Sequence, residues 1–314
     1  MREATIIRAM ENALLTIASL TAIIVLGAIV ARVVTLPTGF ADTLSKLVFN
    51  ITVPCAIFHA FALAEFDLSL LFLAVIGLVC AFVPWLIGVI ITRREDYDHR
   101  VFMMMNISGF NLGSFTLPFA QTVFPAGSAL MLCLVDAGNA LMMSGGTFAF
   151  SSALLDKGSS SRERLVMAVK RLFSSVPFDL YIVLIALAVL NVNIPSQVVT
   201  FIEPIANANS FLSMFMLGLM VQFSIDRNKI GQLVRLIGLR IVFSLVMTVA
   251  VMMFLPFDFV TRVVVAALLW SPIGSLGPVY TMWAKGDVGL AGLANVVSIV
   301  IAIFAMTITA LILA

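Results

Sequence analysis

The sequence predicts an all-α integral membrane protein with ten transmembrane helices. Of its 314 residues, 62% are hydrophobic and only 11% are charged, and the mean hydropathy is +1.15. Soluble domains carry about 25% charged residues, so most of the surface of this chain is expected to face lipid. The chain also divides into uniformly apolar runs close to the ~20 residues that a membrane-crossing helix needs. These runs lack the alternating pattern of an outer-membrane barrel.

Charged or turn-forming segments separate the apolar runs. They include residues 37–39, 65–67, 93–98, 156–164 and 226–229. Each run between them is predicted to form one span. The predicted spans are residues 13–34, 40–63, 68–92, 100–121, 127–154, 175–193, 197–223, 229–255, 260–283 and 287–313.

The positions of Lys and Arg predict how the chain is oriented, because these residues accumulate on the cytoplasmic side of a membrane. Fifteen of the 18 basic residues belong to one set of connections, and Arg2, Arg8 and Arg262 to the other. We therefore expect a plasma (inner) membrane protein with both termini extracytoplasmic and the loop 156–173 inside. Arg240 is counted among the cytoplasmic set and is expected at the membrane interface.

The 156–173 loop divides the chain into a first half, residues 1–155, and a second half, residues 174–314. Each half holds five spans, and an odd number requires the two repeats to be inverted in the membrane. In the fourth span a Gly-Ser pair precedes Pro118, and in the ninth a Gly-Ser pair precedes Pro278. Glycine and proline weaken helices, so both spans are predicted to be broken crossover helices.

The two breaks predict a substrate site. Freed backbone groups are tolerated in a membrane only against protein or a water-filled cavity, and the N-terminal end of a half-helix attracts anions. The expected substrate is a small organic anion, because neither broken span contains Lys or Arg in its inner part. Ordinary packing kinks are the alternative interpretation. The predicted substrate-binding residues are Asn111, Gly113, Ser114, Pro118, Ser271, Gly274, Ser275 and Pro278.

Ionisable residues inside the spans are candidates for ion or proton coupling. Asp136 in the fifth span is predicted to carry a proton, or to hold a cation with Asn139 and Asn295, and a polar clamp between helices is the alternative. Glu203 and His59 are further proton-carrier candidates. Their alternatives are a solvated glutamate near the outer interface and a packing histidine.

Several segments resemble the signatures of the auxin efflux carrier family. They are residues 46–58 (KLVFNITVPCAIF), 106–118 (NISGFNLGSFTLP), 217–219 and 271–298. The resemblance implies an inverted five-plus-five fold, related to bile acid–sodium symporters, with a scaffold domain and a crossover transport domain that both halves build. That family includes plant auxin exporters and bacterial carriers of malonate, oxalate and similar carboxylates. This chain lacks the long central loop of the plant members and carries Asn-Leu-Gly at 111–113 in place of Asn-Pro-Asn.

The predicted function is therefore a secondary transporter of small organic anions that works by alternating access at the crossover site. A sodium-coupled symporter of the bile acid type and a non-translocating membrane receptor are the alternatives. No Walker motif, metal-ligand spacing or catalytic triad is present, so we expect no enzyme activity, cofactor or metal site. The expected partners are the substrate anion, the lipid bilayer, a proton or sodium ion and a second copy of the chain; the net charge of +2 does not suggest nucleic acid.

Overall fold

The structure, a computed structural model, describes residues 2–63, 67–125, 127–155, 173–192, 194–220 and 229–313, together with residues 162, 166, 169 and 170. The described part is almost entirely helical. Outside the helices, Phe110 and Ile273 pair in an isolated antiparallel β-bridge. The predicted all-helical class is confirmed. Most of the predicted 156–173 loop lies outside the described residues.

The α-helices of the described part are numbered here in chain order. The first half contains α1 Arg2–Val33, α2 Phe40–Leu47, α3 Val53–Leu63, α4 Phe72–Thr92, α5 Tyr97–Asn106, α6 Leu117–Thr122, α7 Ser128–Leu141 and α8 Thr147–Leu155. The second half contains α9 Val176–Val189, α10 Ser196–Leu219, α11 Ile230–Phe254, α12 Phe259–Leu268, α13 Gly277–Trp283 and α14 Val288–Leu313. A 3₁₀ turn, Leu68–Leu71, precedes α4, and π-helical turns occupy Val48–Thr52, Leu112–Thr116 and Met142–Gly146.

Several helical segments are long and apolar enough to cross a membrane. Shorter apolar helices are α9 and α12. A multi-pass membrane protein is therefore confirmed, whereas the number of ten spans stays a prediction. The six segments of sufficient length and hydropathy in the described part are Leu14–Val33, Phe40–Leu63, Leu68–Thr92, Ser128–Leu155, Ile230–Phe254 and Val288–Leu313.

Large apolar side chains cover much of the outer surface. Phe201, Phe254 and Val33 are 80%, 77% and 76% exposed. So many exposed large apolar side chains are unusual for a soluble monomer and are expected where lipid is the solvent.

Glycines bring two helix pairs into backbone contact. A methyl group on Gly138 would lie 1.8 Å from a backbone oxygen of α4, and one on Gly77 would lie 1.9 Å from a backbone oxygen of α7. Gly27 and Gly218 bring α1 and α10 together in the same way, at 2.3 and 2.0 Å. Small residues allow the close approach that helix packing in lipid relies on. The α4–α7 contact fixes the position of α7, which borders the candidate site.

Two helical segments are interrupted, and their interruptions meet. The first break, residues 107–111, separates α5 from the helical turns that lead into α6. The second break, residues 269–276, separates α12 from α13. Pro118 and Pro278 do not lie in the breaks. Pro278 is the second residue of α13, and proline is favoured in the first turn of a helix, where its missing N–H is not required. Pro118 is the second residue of α6, which directly continues the π-helical turn Leu112–Thr116.

Candidate functional site

The two breaks cross at a short stretch of paired backbone. Phe110 and Ile273 form the antiparallel bridge, and the Asn111 N–H donates to the Pro272 carbonyl over 2.9 Å. Gly109 adopts a φ of 71°, in the left-handed region where a side chain is disfavoured, immediately before the bridge. The two breaks therefore pair through backbone groups and a left-handed glycine conformation that a continuous α-helix does not offer.

Side chains from the long helices that follow each break satisfy the freed backbone groups. Asn139 on α7 accepts the Phe110 N–H through Oδ1 and donates Nδ2 to the Phe110 carbonyl, both over 3.0 Å. On α14, Asn295 Nδ2 donates to the Ile273 carbonyl over 3.1 Å, and Ser298 Oγ accepts the Ile273 N–H over 3.0 Å. By these contacts Asn139 is the counterpart of Asn295.

Arg240 is buried at the crossing, and its predicted place at the membrane interface is wrong. Its guanidinium donates to the carbonyls of Ile107 at 2.7 Å, Gly109 at 3.0 Å and Ser271 at 3.2 Å. The ring of Phe110 lies 5.0 Å from its central carbon. Arg240 stands about 15 Å into α11, too deep for an interfacial position. The breaks expose carbonyls that no helical N–H can reach, and these carbonyls satisfy the buried cation.

A cavity of about 380 Å³ opens beside the crossing. It lies between α2, the π-helical turn that follows α2, α7, the start of α9, α13 and the two breaks. Ser271 does not line it, because its hydroxyl contacts Thr116 Oγ1 at 2.7 Å. Pro118 and Pro278 are also outside the lining. Five of the predicted substrate-binding residues do line the cavity: Asn111, Gly113, Ser114, Gly274 and Ser275.

Two residues of the cavity lining each carry a buried polar atom that has no hydrogen-bond partner in the described part of the chain. Asn111 is 4% exposed and Ser114 is fully buried. Within the described part of the chain, neither Asn111 Nδ2 nor Ser114 Oγ makes a hydrogen bond. Buried polar atoms are nearly always paired, and an unpaired one costs about 1–3 kcal/mol. Both unpaired atoms belong to residues that line one cavity, and a polar ligand that reached them would supply the missing partner.

Asp136 lines the same cavity and is only 8% exposed. Its Oδ1 accepts Asn139 Nδ2 and its Oδ2 accepts the Tyr181 hydroxyl, each over 2.8 Å. A methyl group on Gly113 would lie 3.6 Å from Oδ2, so the carboxylate lies beside the chain that follows the first break. Tyr181 was not predicted as a site residue. The sequence signal for Tyr181 is a polar hydroxyl inside an apolar span. Its partner Asp136 lies 45 residues away in the sequence, so no local pattern links the two residues.

The cavity has a second charged lining residue at its rim. Lys46 is exposed and forms an ion pair with Asp42 over 2.8 Å. Asn50, also in the lining, donates to the Lys46 carbonyl over 2.8 Å. A lysine at the rim and a buried acid inside give the cavity two charges of opposite sign at different depths.

The remaining coupling candidates lie elsewhere. Glu203 is exposed on α10, and His59 is half-buried on α3; neither lines the cavity. Asn295 is half-buried and engaged with the second break. Among the described residues, no group of three His, Cys, Asp or Glu side chains is placed to hold a metal ion.

Comparison with known families identifies the kind of protein. The sequence model of the Mem_trans family, described as membrane transport protein, matches residues 13–312. The chain belongs to this family. Its members are auxin efflux carrier-type membrane transport proteins, as the resemblance of residues 46–58 and 106–118 implied. A comparison with curated proteins gives no match.

In this Mem_trans protein the cavity offers donors and an acceptor at short range. The Asn111 amide and the Ser114 hydroxyl are buried donors without a described partner, and the first N–H groups of the turn from Leu112 have no acceptor in a preceding helical turn. Such donors suit a carboxylate. The Asp136 carboxylate accepts two hydrogen bonds and has lone pairs left for a proton or a cation.

Proposed function

We propose that this Mem_trans protein is a secondary transporter of small organic anions, mono- or dicarboxylates, that bind in the cavity beside the crossing. The observation that carries the proposal is the pair of unpartnered, buried polar atoms on Asn111 and Ser114. A cavity of about 380 Å³ lies at the small end of ligand pockets, which run from about 300 to 1,000 Å³. Small carboxylates match both the volume and the donors.

We further propose that transport proceeds by alternating access across two inverted five-helix repeats, residues 1–155 and 174–314. Ten spans, with the fourth and ninth broken, would build a scaffold domain and a crossover transport domain from both halves. The paired breaks and their matching asparagine anchors support this plan. Lys46 and Ser174 at the cavity rim belong to the predicted cytoplasmic side, which supports an inward-facing state with both termini outside as part of this proposal. A homodimer stays a prediction.

Asp136 is proposed to couple transport to a proton or a sodium ion. A substrate carboxylate held by Asn111 and Ser114 would share the cavity with the Asp136 carboxylate. Like charges at this range disfavour each other strongly in a low dielectric. Anion binding and proton or cation binding at Asp136 are therefore expected to favour each other, which is the basis of symport.

The test is counterflow of labelled malonate and related small carboxylates in proteoliposomes. Ser114→Ala or Asn111→Ala is expected to weaken apparent affinity about tenfold or more, since a hydrogen bond to a charged group contributes about 1.5–3 kcal/mol. Ser128→Ala is the matched control. Ser128 is also a buried serine whose hydroxyl has no partner among the described residues, and it lies outside the cavity lining.

Equal losses in the Ser114 and Ser128 variants would show that packing, and not ligand contact, explains the effect. Binding of a carboxylate without counterflow would favour the membrane receptor. Counterflow that requires sodium, at constant pH, would favour the sodium-coupled symporter over a proton-linked carrier.

A further inference from the structure

One side chain contacts both breaks at once. A methyl group on Gly109, in the first break, would lie 2.0 Å from Met143 Sδ. A methyl group on Gly274, in the second, would lie 2.0 Å from Met143 Cε and 2.6 Å from its Sδ. The thioether of Met143 therefore occupies the space that side chains at positions 109 and 274 would fill.

The backbone of Met143 is held in place. It belongs to the π-helical turn Met142–Gly146, which continues α7. The hydroxyl of Tyr280, on α13, donates to the Met143 carbonyl. Met143 is thus bonded to the half-helix after the second break while its side chain reaches back to the first.

Met143 also borders the proposed substrate. Its side chain is half-buried and lines the cavity together with Asn111 and Ser114. Methionine is unbranched and flexible, so it fills irregular gaps and can change its shape when a neighbour moves. A β-branched or aromatic residue is stiffer and would not adapt to two glycine surfaces in this way.

We propose that Met143 determines the size of the anion that the cavity accepts, by closing the space between the two breaks. This inference rests on the proposed function. A substrate held at the first break extends until it meets the thioether, and a longer or bulkier acid has to displace it. Selectivity by a wall of this kind is steric, because the thioether is at most a weak acceptor of hydrogen bonds.

The experiment compares counterflow of a short and a long dicarboxylate, malonate and adipate, in reconstituted variants. Met143→Ala removes the three heavy atoms beyond Cβ and is expected to raise the adipate-to-malonate ratio about tenfold, the effect of a methylene or more in a fitted pocket. Met143→Leu, of similar volume, is expected to keep the ratio of the unmodified protein.

Gly274→Ala tests the same contact in the opposite direction, by adding a methyl group beside Met143 instead of removing atoms from it. Its new methyl must push the flexible end of Met143 aside, so malonate counterflow is expected to fall about tenfold, since sites of this kind respond to one methyl group. The double variant Met143→Ala/Gly274→Ala is expected to recover it, because the obstructing atoms are gone. Met142→Ala is the packing control, as Met142 is buried beside Met143 but does not line the cavity.

An unchanged ratio in Met143→Ala, a double variant as impaired as Gly274→Ala, or a shift shared by Met142→Ala would each overturn the inference. Size-exclusion profiles identify variants that do not fold. If Met143→Ala does not fold, the size ratio of Met143→Leu is compared with that of Gly274→Ala instead. If the unmodified protein shows no carboxylate counterflow, the proposed function fails, and the inference with it. Counterflow without any change in size preference overturns only the role of Met143.

Discussion

The two breaks, residues 107–111 and 269–276, are anchored by the same means. Phe110 has both backbone groups bonded to Asn139, and Ile273 has its groups bonded to Asn295 and Ser298. In hydrocarbon each unpaired backbone group would cost several kcal/mol, so a broken helix persists only with such partners. Anchoring by a polar side chain from a neighbouring long helix is therefore a requirement of the architecture.

The chemistry of the two breaks differs. Asn139 also contacts Asp136, whereas the described residues around the second break contribute no acid to the cavity lining. The first break continues into a π-helical turn that carries the unpartnered Ser114, and the second leads into the short helix α13. The backbone geometry is therefore duplicated, whereas the acid of the cavity lining and the unpartnered serine hydroxyl lie beside the first break.

Arg240→Met is expected to have the largest effect, because Arg240 contacts both breaks. Its loss leaves three carbonyls without a donor, at about 1–3 kcal/mol each, against a typical total stability of about 5–15 kcal/mol. Little folded protein and no counterflow are expected. Arg240→Lys keeps the charge but not the planar fork, so we expect an intermediate result. Detergent size-exclusion and thermal unfolding measure this, and an Arg240→Met protein as stable as the original would contradict it.

Asp136→Asn tests whether the first break alone carries coupling. Transport of labelled carboxylate by the original protein is expected to vary with pH or sodium, and the variant should lose that dependence while keeping counterflow. Tyr181→Phe is the control, because it removes a hydrogen bond to the acid and leaves the acid itself. A variant that retains the full dependence would assign Asp136 to a clamp between helices. The measurement is uptake across a pH series with and without sodium.

Asn139→Ala and Asn295→Ala compare the two anchors directly, and Asn295→Ala should give the smallest effect. Asn139 makes three hydrogen bonds to Phe110 and Asp136, and Asn295 Nδ2 makes one to Ile273. At about 1–3 kcal/mol for each buried group left without a partner, the loss for Asn139 should be two to three times larger. Thermal unfolding in detergent measures the difference, with the exposed Asn207→Ala as control. Equal losses would indicate that the two breaks are equally supported.

Helix limits and membrane class followed from local properties of the chain. The predicted span 40–63 coincides with Phe40–Leu63, and 68–92 with Leu68–Thr92. Apolar run length and turn-forming residues belong to each segment, whatever it packs against. The Gly-Ser-Pro patterns also located both interrupted helices. The backbone opens before the prolines, however. Pro278 is accommodated in the first turn of α13, and Pro118 lies after the π-helical turn Leu112–Thr116.

Such patterns do not predict which polar groups meet in the folded chain. Asn111, Gly113 and Ser114 were predicted from their own segment, and they do line the cavity. Arg240 and Tyr181 were not, because the first was assigned to an interface by charge counting and the second has no local signal. Their partners come from other helices, and a buried polar group is stable only where folding supplies those partners. Hydrophobicity and backbone preference can be read along one segment, whereas hydrogen-bond satisfaction exists only once the segments are assembled.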